Sequence, residues 1–233
     1  MNTRVPDATH GKVAFFDVDH TLIDANTASL YARHALERGE IGWVEAMGTL
    51  WAMARYRMGW ADAGPWMRRA VRNLTGIHED FFRTRCEELY RDVMSHHLLD
   101  AARDQIDWHR AQGHQVVLVT ASLHTVVRPL ADALEADDVV ANRAVVEEGV
   151  LTGELVSPLC YGPGKLPLAS QWAEERQVAL RDCWFYTDSS TDLALLEAVG
   201  HPVAVHPDPR LKRFAKTRGW PIRQFRASTI GRI

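Results

Sequence analysis

One stretch, residues 13–23, constrains the fold more than any other part of the chain. It begins as a short apolar run typical of a buried parallel strand, and then carries two carboxylates, Asp17 and Asp19, one residue apart. A central strand carries such a pair only just past its carboxyl end, where open α/β sheets bind ligands. The pair could share a cation or divide the roles of nucleophile and general acid/base. An acidic turn with a helix cap at Thr21 or Asp24 explains this stretch alone equally well.

The rest of the chain alternates between short apolar strands and helices, which predicts a doubly wound, mostly parallel α/β sheet. We expect strands at residues 13–17, 115–120, 139–141, 183–187 and 203–205, helices at 101–112, 123–136, 165–175, 190–199 and 209–218, two strands around a turn at 148–149, and an edge strand at 221–225.

Residues 25–97 interrupt this alternation with apolar residues at helical spacing, which predicts an inserted all-helical domain. The core would then consist of residues 1–24 and 98–233. The insert is rich in large apolar side chains, namely Trp43, Met47, Trp51, Met53, Met58, Trp60, Trp66 and Met67. These side chains form the interior of a helical bundle, present an apolar face to a substrate or partner, or do both on different faces of one helix.

The composition argues against several functional classes. With 27 basic and 30 acidic residues and a net charge of -3, no nucleic-acid partner is expected. The three cysteines, Cys86, Cys160 and Cys183, are too few and too scattered for a disulfide framework or a zinc cluster, which favours the reducing cytoplasm. No apolar run approaches the ~20 residues of a membrane span, and the polar N-terminus lacks the apolar segment of a signal peptide.

Four stretches, in chain order, resemble the signature motifs of the haloacid dehalogenase superfamily of phosphohydrolases. They are residues 17–21, of the form D-x-D-x-T, and residues 118–122, 164–165 and 186–192. The resemblance extends from about residue 12 to about residue 221, and it is closest to the phosphoserine-phosphatase-like branch. In that branch a mobile helical cap follows the first motif and sets substrate choice. The resemblance therefore implies a Rossmann-like core with residues 25–97 as the cap.

The chemistry of the first and last motifs suits cleavage of a phosphate ester. We predict that Asp17 is the nucleophile that forms an aspartyl-phosphate, and that Asp19 acts first as general acid and then as base. A carboxylate attacks an anion only when a cation screens the repulsion, which implies Mg²⁺ on the side chains of Asp17 and Asp188. The resemblance adds the backbone carbonyl of Asp19 as a third ligand. Asp192 would bind the metal through water or orient Lys165, unless Asp188 and Asp192 only cap a helix.

The two middle motifs supply groups that bind phosphate. We expect the hydroxyl of Thr120 and the amides of Ala121 and Ser122 to hold phosphate oxygens at a helix N-terminus. On local evidence a threonine that caps the next helix is an equal explanation. Lys165 follows a Gly-Pro-Gly turn and is expected to reach both the phosphate and Asp17 as a point charge.

Three positions depart from the branch. In its phosphoserine phosphatases, a glutamate nine residues after the nucleophile binds the ammonium group of the substrate. This chain has Asn26 at that position. Phosphoserine is therefore disfavoured as the substrate. Thr187 and Thr191 replace a glycine and an asparagine of the last motif. Since threonine still donates a hydrogen bond, these two changes leave the reaction class unaltered.

We therefore predict a Mg²⁺-dependent phosphohydrolase that cleaves a small-molecule phosphate monoester. The apolar insert favours a larger or more apolar leaving group, and its arginines either bind a second anionic group or face solvent: Arg55, Arg57, Arg68, Arg69 and Arg72. Two alternatives remain open, a phosphotransferase that uses the same aspartyl-phosphate and a catalytically silent binding module. A dehalogenase would not need Asp19 or the metal carboxylates. The sequence leaves the oligomeric state undetermined.

Overall fold

The computed structural model of the protein describes residues 12–43, 47–48 and 63–225. Within these residues, one parallel sheet has the strand order β3-β2-β1-β6-β7-β8, and a separate antiparallel hairpin pairs β4 with β5. The strands are β1 Val13–Phe16, β2 Gln115–Leu123, β3 Asp138–Asn142, β4 Ala144–Glu147, β5 Val150–Leu155, β6 Trp184–Thr187, β7 His201–Val205 and β8 Ile222–Arg223.

The helices of the described residues connect these strands and cover the sheet. They are α1 Thr27–Glu37, α2 Ala63–Arg72, α3 Glu79–Asp92, α4 Asp100–Ala111, α5 His124–Ala133, α6 Lys165–Glu175, α7 Leu193–Ala198 and α8 Pro209–Arg218. The chain runs outward from β1 through β2 to β3, and then returns to β6 on the other side of β1. The predicted doubly wound sheet is confirmed, and the strand order reverses beside β1, where such sheets bind ligands.

Both faces of the sheet are buried, which explains why its strands are apolar without interruption. Successive side chains on a strand point to opposite faces. Phe16 and Leu118 accordingly pack on one face, and Phe15 and Val117 pack on the other. The first face is covered by helices that contribute Phe82, Ile106 and Leu130, and the second by helices that contribute Trp172, Leu196 and Leu211.

Most predicted elements lie within a few residues of the observed ones, but two differ in a way that affects function. Strand β2 does not end at residue 120 but continues to Leu123, with a register shift after Thr120. The helix predicted at residues 190–199 is a 3-10 turn, Ser190–Asp192, followed by the short α7. The Ser189 hydroxyl accepts a hydrogen bond from the Thr191 amide and so begins the tighter turn. The predicted hairpin and the edge strand β8 are both present.

The described parts of the insert are helical, as predicted, and two of their helices pack on elements that follow the insert in the chain. Helix α3 packs on α5, and α2 packs on the hairpin strand β5. The hairpin also exchanges backbone hydrogen bonds with the chain between α2 and α3, from the Gly76 amide to the Leu151 carbonyl and from the Leu151 amide to the Ile77 carbonyl, each 2.9 Å long. The division at residues 25–97 remains a prediction. Several residues singled out there lie outside the described residues: Trp51, Met53, Arg55, Arg57, Met58 and Trp60.

Other expectations from the sequence can be compared with the structure. Cys86, Cys160 and Cys183 are buried and free, so none forms a disulfide. Trp43 and Met47, in contrast, are 66% and 45% exposed. Within the described ranges, every helix is too short or too polar to span a bilayer.

A buried histidine on α4 forms a polar network under the first face of the sheet. The Nδ1 of His109 lies 2.9 Å from the Nδ1 of His114, and its Nε2 lies 2.9 Å from the hydroxyl oxygen of Tyr186. Burial, with a smaller contribution from His114, lowers the pKa of His109 to about 4. Folding therefore favours the neutral imidazole.

We predict that His109 makes the protein less stable in mild acid. Below its ordinary pKa of 6.5 the unfolded chain takes up a proton that the folded chain accepts only near pH 4, so the free energy of unfolding falls as the pH falls through this window. His109→Gln keeps a hydrogen-bonding side chain but does not titrate. Between about pH 7 and about pH 5, the free energy of unfolding measured in urea should fall less in this variant than in wild type. The two falls should differ by on the order of 1 kcal/mol.

The matched control is Tyr186→Phe, which removes the hydroxyl partner but leaves the imidazole. It should lower stability at both pH values and keep the wild-type difference between them. Identical pH dependence in wild type and His109→Gln would contradict the prediction.

Candidate active site

The predicted catalytic residues meet at the carboxyl ends of three adjacent strands. Strand β1 lies between β2 and β6, and Phe16 is in register with Leu118 on one side and Tyr186 on the other. Asp17, Thr120 and Asp188 follow these positions along their strands. All three line one cavity of about 870 Å³. Topology thus brings together motifs that are far apart in the chain.

A buried lysine joins two carboxylates in this site. The Nζ of Lys165, at the start of α6, donates to Asp17 Oδ1 at 2.8 Å and to Asp192 Oδ2 at 2.7 Å. The exposed fractions of the three residues are 3%, 6% and 1%. Buried charges persist in proteins when they are paired in this way. The contact between Asp192 and Lys165, one of the two roles predicted for Asp192, is present in the structure.

Burial and paired charges set the electrostatics of this group. Burial raises the pKa of Asp17 to about 7, with contributions from Asp192 and Asp19 and against the effect of Lys165. For Lys165, burial favours the neutral amine, but the two carboxylates outweigh it and raise the pKa well above its usual value. Lys165 is therefore a fixed positive charge, and a further cation would favour the ionised form of Asp17.

Asp192 is held from a second side by Thr187, at the end of β6. The Thr187 hydroxyl donates to Asp192 Oδ2 at 2.8 Å and accepts from the Ser189 amide at 3.2 Å. This is the hydrogen bond that a threonine was expected to retain in the last motif. It fixes the carboxylate that orients Lys165.

The turn before Lys165 requires its glycines. Gly162 has φ +48°, a left-handed conformation that favours glycine. A Cβ on Gly164 would lie 2.3 Å from the carbonyl oxygen of Leu159. Helix α6 begins directly after this turn, so the turn determines where the Lys165 side chain starts.

The Thr120 motif precedes a helix, as predicted, but Ala121 and Ser122 lie in an extended strand end and not in the first turn of that helix. Helix α5 begins only at His124, because the chain stays extended through an irregular end of β2. Asn142 stabilises this end, since its Nδ2 donates to the Ala121 carbonyl at 2.7 Å. The Ser122 amide, expected to hold phosphate, donates instead to the Thr120 hydroxyl oxygen at 3.2 Å. The donor hydrogen of the buried Thr120 hydroxyl can still point at a ligand.

The side chain of Asp19 is held by the start of α1, a contact that the sequence analysis did not predict. Asn26 Nδ2 donates to Asp19 Oδ2 at 2.6 Å, and the Thr27 amide donates to Asp19 Oδ1 at 2.9 Å. Asn26 Oδ1 accepts from the Ser29 amide at 3.1 Å, which makes Asn26 the N-cap of α1. An asparagine before a helical pattern is a cap signal, but nothing local indicates the contact with Asp19.

Two further residues of the cavity wall were also missed. The buried Thr27 hydroxyl forms a short hydrogen bond with the Ser122 hydroxyl, which joins the insert to the Thr120 motif. Asp208, the N-cap of α8, accepts from the Ser190 amide at 2.6 Å and from the Leu211 amide at 2.8 Å. Asp-Pro before a helical pattern signals such a cap, but not its second contact.

The donor set fits Mg²⁺, which is usually held by one or two carboxylates while it keeps several waters. Asp17 and Asp188 provide buried carboxylates on the same cavity. The side chains of Asp19 and Asp192 are engaged by α1 and by Lys165. Among the described residues, no three or more His, Cys, Asp or Glu side chains are grouped to hold a metal ion. The expected ligands are therefore two side chains, a backbone carbonyl and water.

Comparisons with known proteins agree with this geometry. The family model of haloacid dehalogenase-like hydrolases matches residues 14–197. A probable phosphatase of Mycobacterium tuberculosis is 34% identical over 216 residues, covering 91% of this chain and 75% of the relative. A phosphoserine phosphatase of the same organism is 30% identical over 227 residues, covering 96% and 74%. The crystal structure of a Bordetella pertussis Tohama I protein with unknown function gives a TM-score of 0.84 at 31% identity, covering 92% and 98%.

The close approach at Gly164 generates a prediction. Gly164→Ala should lower the free energy of unfolding by roughly 2 kcal/mol or more, because the added methyl group displaces the turn before Lys165. Chemical denaturation measures this loss. Gly42→Ala is the control, since a Cβ there meets nothing within 4 Å, and it should change stability by no more than about 0.5 kcal/mol. Equal stability of the two variants would contradict the prediction.

Proposed function

We propose that this chain, which belongs to the haloacid dehalogenase-like hydrolase family, is a phosphatase that cleaves a small-molecule phosphate monoester through a phosphorylated Asp17. One observation carries the proposal. A buried carboxylate at the carboxyl edge of the sheet lines a large cavity and accepts a hydrogen bond from a buried lysine. A nucleophile needs this combination of access to the ligand and fixed direction.

In the first step an Asp17 carboxylate oxygen attacks phosphorus. The bond from Asp17 to phosphorus forms as the bond from phosphorus to the ester oxygen breaks, and Asp19 transfers its proton to that oxygen. The products are the aspartyl-phosphate and a neutral alcohol. The contacts of the two carboxyl groups support these separate roles. Asp17 accepts a hydrogen bond from Lys165, whereas Asp19 accepts hydrogen bonds from the start of α1.

In the second step water removes the phosphoryl group. Asp19, now a carboxylate, takes a proton from the water as its oxygen attacks phosphorus. The bond between phosphorus and Asp17 breaks, so inorganic phosphate leaves and the Asp17 carboxylate is restored. The protonated Asp19 is then ready for the next ester.

Phosphate oxygens would be held by groups around the Thr120 motif. An ammonium group has three donors, and Lys165 uses two on Asp17 and Asp192, which leaves one for phosphate. The Thr120 and Ser122 hydroxyls lie on the same cavity and can donate as well. A bound Mg²⁺ would neutralise charge on the phosphoryl group, with Asp17 and Asp188 as its side-chain ligands and the backbone carbonyl of Asp19 as a third.

The substrate pocket extends from these groups into the insert, which we propose is the cap, residues 25–97. Its far wall is apolar and includes Tyr31, Trp66, Met67 and Phe82. This wall supports a leaving group with apolar surface. Asn26 is uncharged and already binds Asp19 and the Ser29 amide, so it is a poor receptor for the ammonium group of phosphoserine. We therefore expect phosphoserine to be a poor substrate, although two relatives are named phosphoserine phosphatases.

The first test is release of inorganic phosphate from a panel of phosphate monoesters that differ in charge and apolar area. Wild type should release phosphate, and Asp17→Asn should lose activity by about 10⁴-fold or more while its fold is retained, because an amide is not a nucleophile here. Asp24→Asn changes a half-exposed carboxylate nearby and should keep most of the activity.

Activity in Asp17→Asn would exclude Asp17 as the nucleophile. Consumption of ester without equivalent release of phosphate, when an alcohol is present, would favour transfer to that alcohol over hydrolysis. High turnover of phosphoserine would contradict the substrate argument from Asn26.

The second test concerns the metal. Chelation by EDTA should stop phosphate release and added Mg²⁺ should restore it. Asp188→Asn should raise the Mg²⁺ concentration for half-maximal activity by about tenfold or more, because one ligand loses its charge. Asp24→Asn should titrate like wild type. Activity that is indifferent to EDTA would rule out the metal assignment.

A further inference from the structure

The carboxyl group of Asp19 accepts hydrogen bonds from two residues at the start of α1, the side chain of Asn26 and the backbone amide of Thr27. We propose that Asn26 is a positioning residue that holds Asp19 where it can protonate the leaving group. The inference rests on the proposed function, because it assumes that Asp19 is the general acid. It assigns to residue 26 a role in orienting the acid, distinct from reading the charge of a substrate.

The contacts of Asn26 use both ends of its amide. The Nδ2 donates to Asp19 Oδ2 at 2.6 Å, and the Oδ1 accepts from the Ser29 amide at 3.1 Å. The neighbouring Thr27 amide donates to the other carboxyl oxygen of Asp19, Oδ1, at 2.9 Å. Two donors on two oxygens fix the rotation of the carboxyl group. Each oxygen has a second lone pair, so the acid can still carry its proton.

The support beneath Asn26 is rigid. Leu30 and Ala35 bury one side of α1, and Thr27 is fully buried where its hydroxyl meets the Ser122 hydroxyl. The helix that presents Asn26 is therefore anchored to the Thr120 motif as well as to Asp19. A side chain that is itself locked by packing and hydrogen bonds can position another with the accuracy that proton transfer needs.

The chemistry at this position specifies an amide. The residue at this position donates a hydrogen bond to Asp19 and accepts one from the Ser29 amide. Asparagine carries both the donor and the acceptor on one short, planar group. Aspartate or serine would cap the helix as well as asparagine does. Aspartate, however, brings no donor, and serine has a single short hydroxyl. Only the contact with Asp19 distinguishes asparagine from these residues.

Positioning of the acid affects one part of the reaction. As the Asp17–phosphorus bond forms and the ester bond breaks, an alkoxide needs the proton of Asp19, whereas a p-nitrophenolate leaves without it. The ratio kcat/KM reports the steps up to departure of the leaving group. Loss of Asn26 should therefore reduce kcat/KM for an alkyl phosphate and spare p-nitrophenyl phosphate.

The experiment compares these two substrates in Asn26→Ser, which keeps a helix cap but removes the amide donor, and in Asn26→Ala. For 2-glycerophosphate we expect kcat/KM to fall by about tenfold or more in both variants, and for p-nitrophenyl phosphate by no more than about twofold. Asp19→Ala supplies the reference, with a larger loss for 2-glycerophosphate and the same direction of selectivity.

Arg33→Gly is the matched control. Arg33 lies on the exposed side of α1, so the change weakens the helix without touching Asp19, and both substrates should keep their wild-type ratio of kcat/KM. If this control shows the selective loss, or if Asn26→Ser loses both substrates equally or neither, Asn26 does not position the acid. If Asp19→Ala loses both equally, Asp19 is not the general acid, so that part of the proposed function fails and the inference fails with it.

Discussion

The contact of the Lys165 ammonium group with Asp17 and Asp192 is the interaction on which the site depends. It joins the end of β1, the start of α6 and the turn before α7, since Lys165 lies 148 positions from Asp17 and 27 from Asp192 along the chain. All three side chains are buried, so removal of Lys165 would leave two carboxylates without a cation in a medium of low dielectric constant. The ion pairs therefore hold the three segments in one arrangement.

The sheet places this group where it can meet a ligand. Because its strands are parallel and β1 is central, the residues that follow β2, β1 and β6 share one edge. The insert supplies the opposite side of the cavity through α1, α2 and α3. Helix α1 belongs to both sides, since Asn26 and Thr27 reach Asp19 and Ser122. Any motion of the insert relative to the core must keep or break these contacts.

Elements with strong local signals were predicted to the residue. Helix α6 begins after a glycine turn, and α8 begins at Pro209 directly after its N-cap Asp208, and both match the predicted bounds. The end of β2 was predicted wrongly because Ala121 and Ser122 have no strong local preference, and Asn142, on the next strand, keeps them extended. The helix after β6 was predicted as one piece, although the contacts of Ser189 begin a tighter turn.

The sequence by itself determined the alternation of the sheet, the strand ends that carry Asp17, Thr120 and Asp188, and the residue types that phosphate chemistry needs. These depend on local spacing, which can be read along the chain. Only the tertiary structure decided that Lys165 bridges Asp17 and Asp192, and that the start of α1 holds Asp19. Contacts of this kind depend on how helices and strands pack over long sequence separations, and no local pattern encodes that packing.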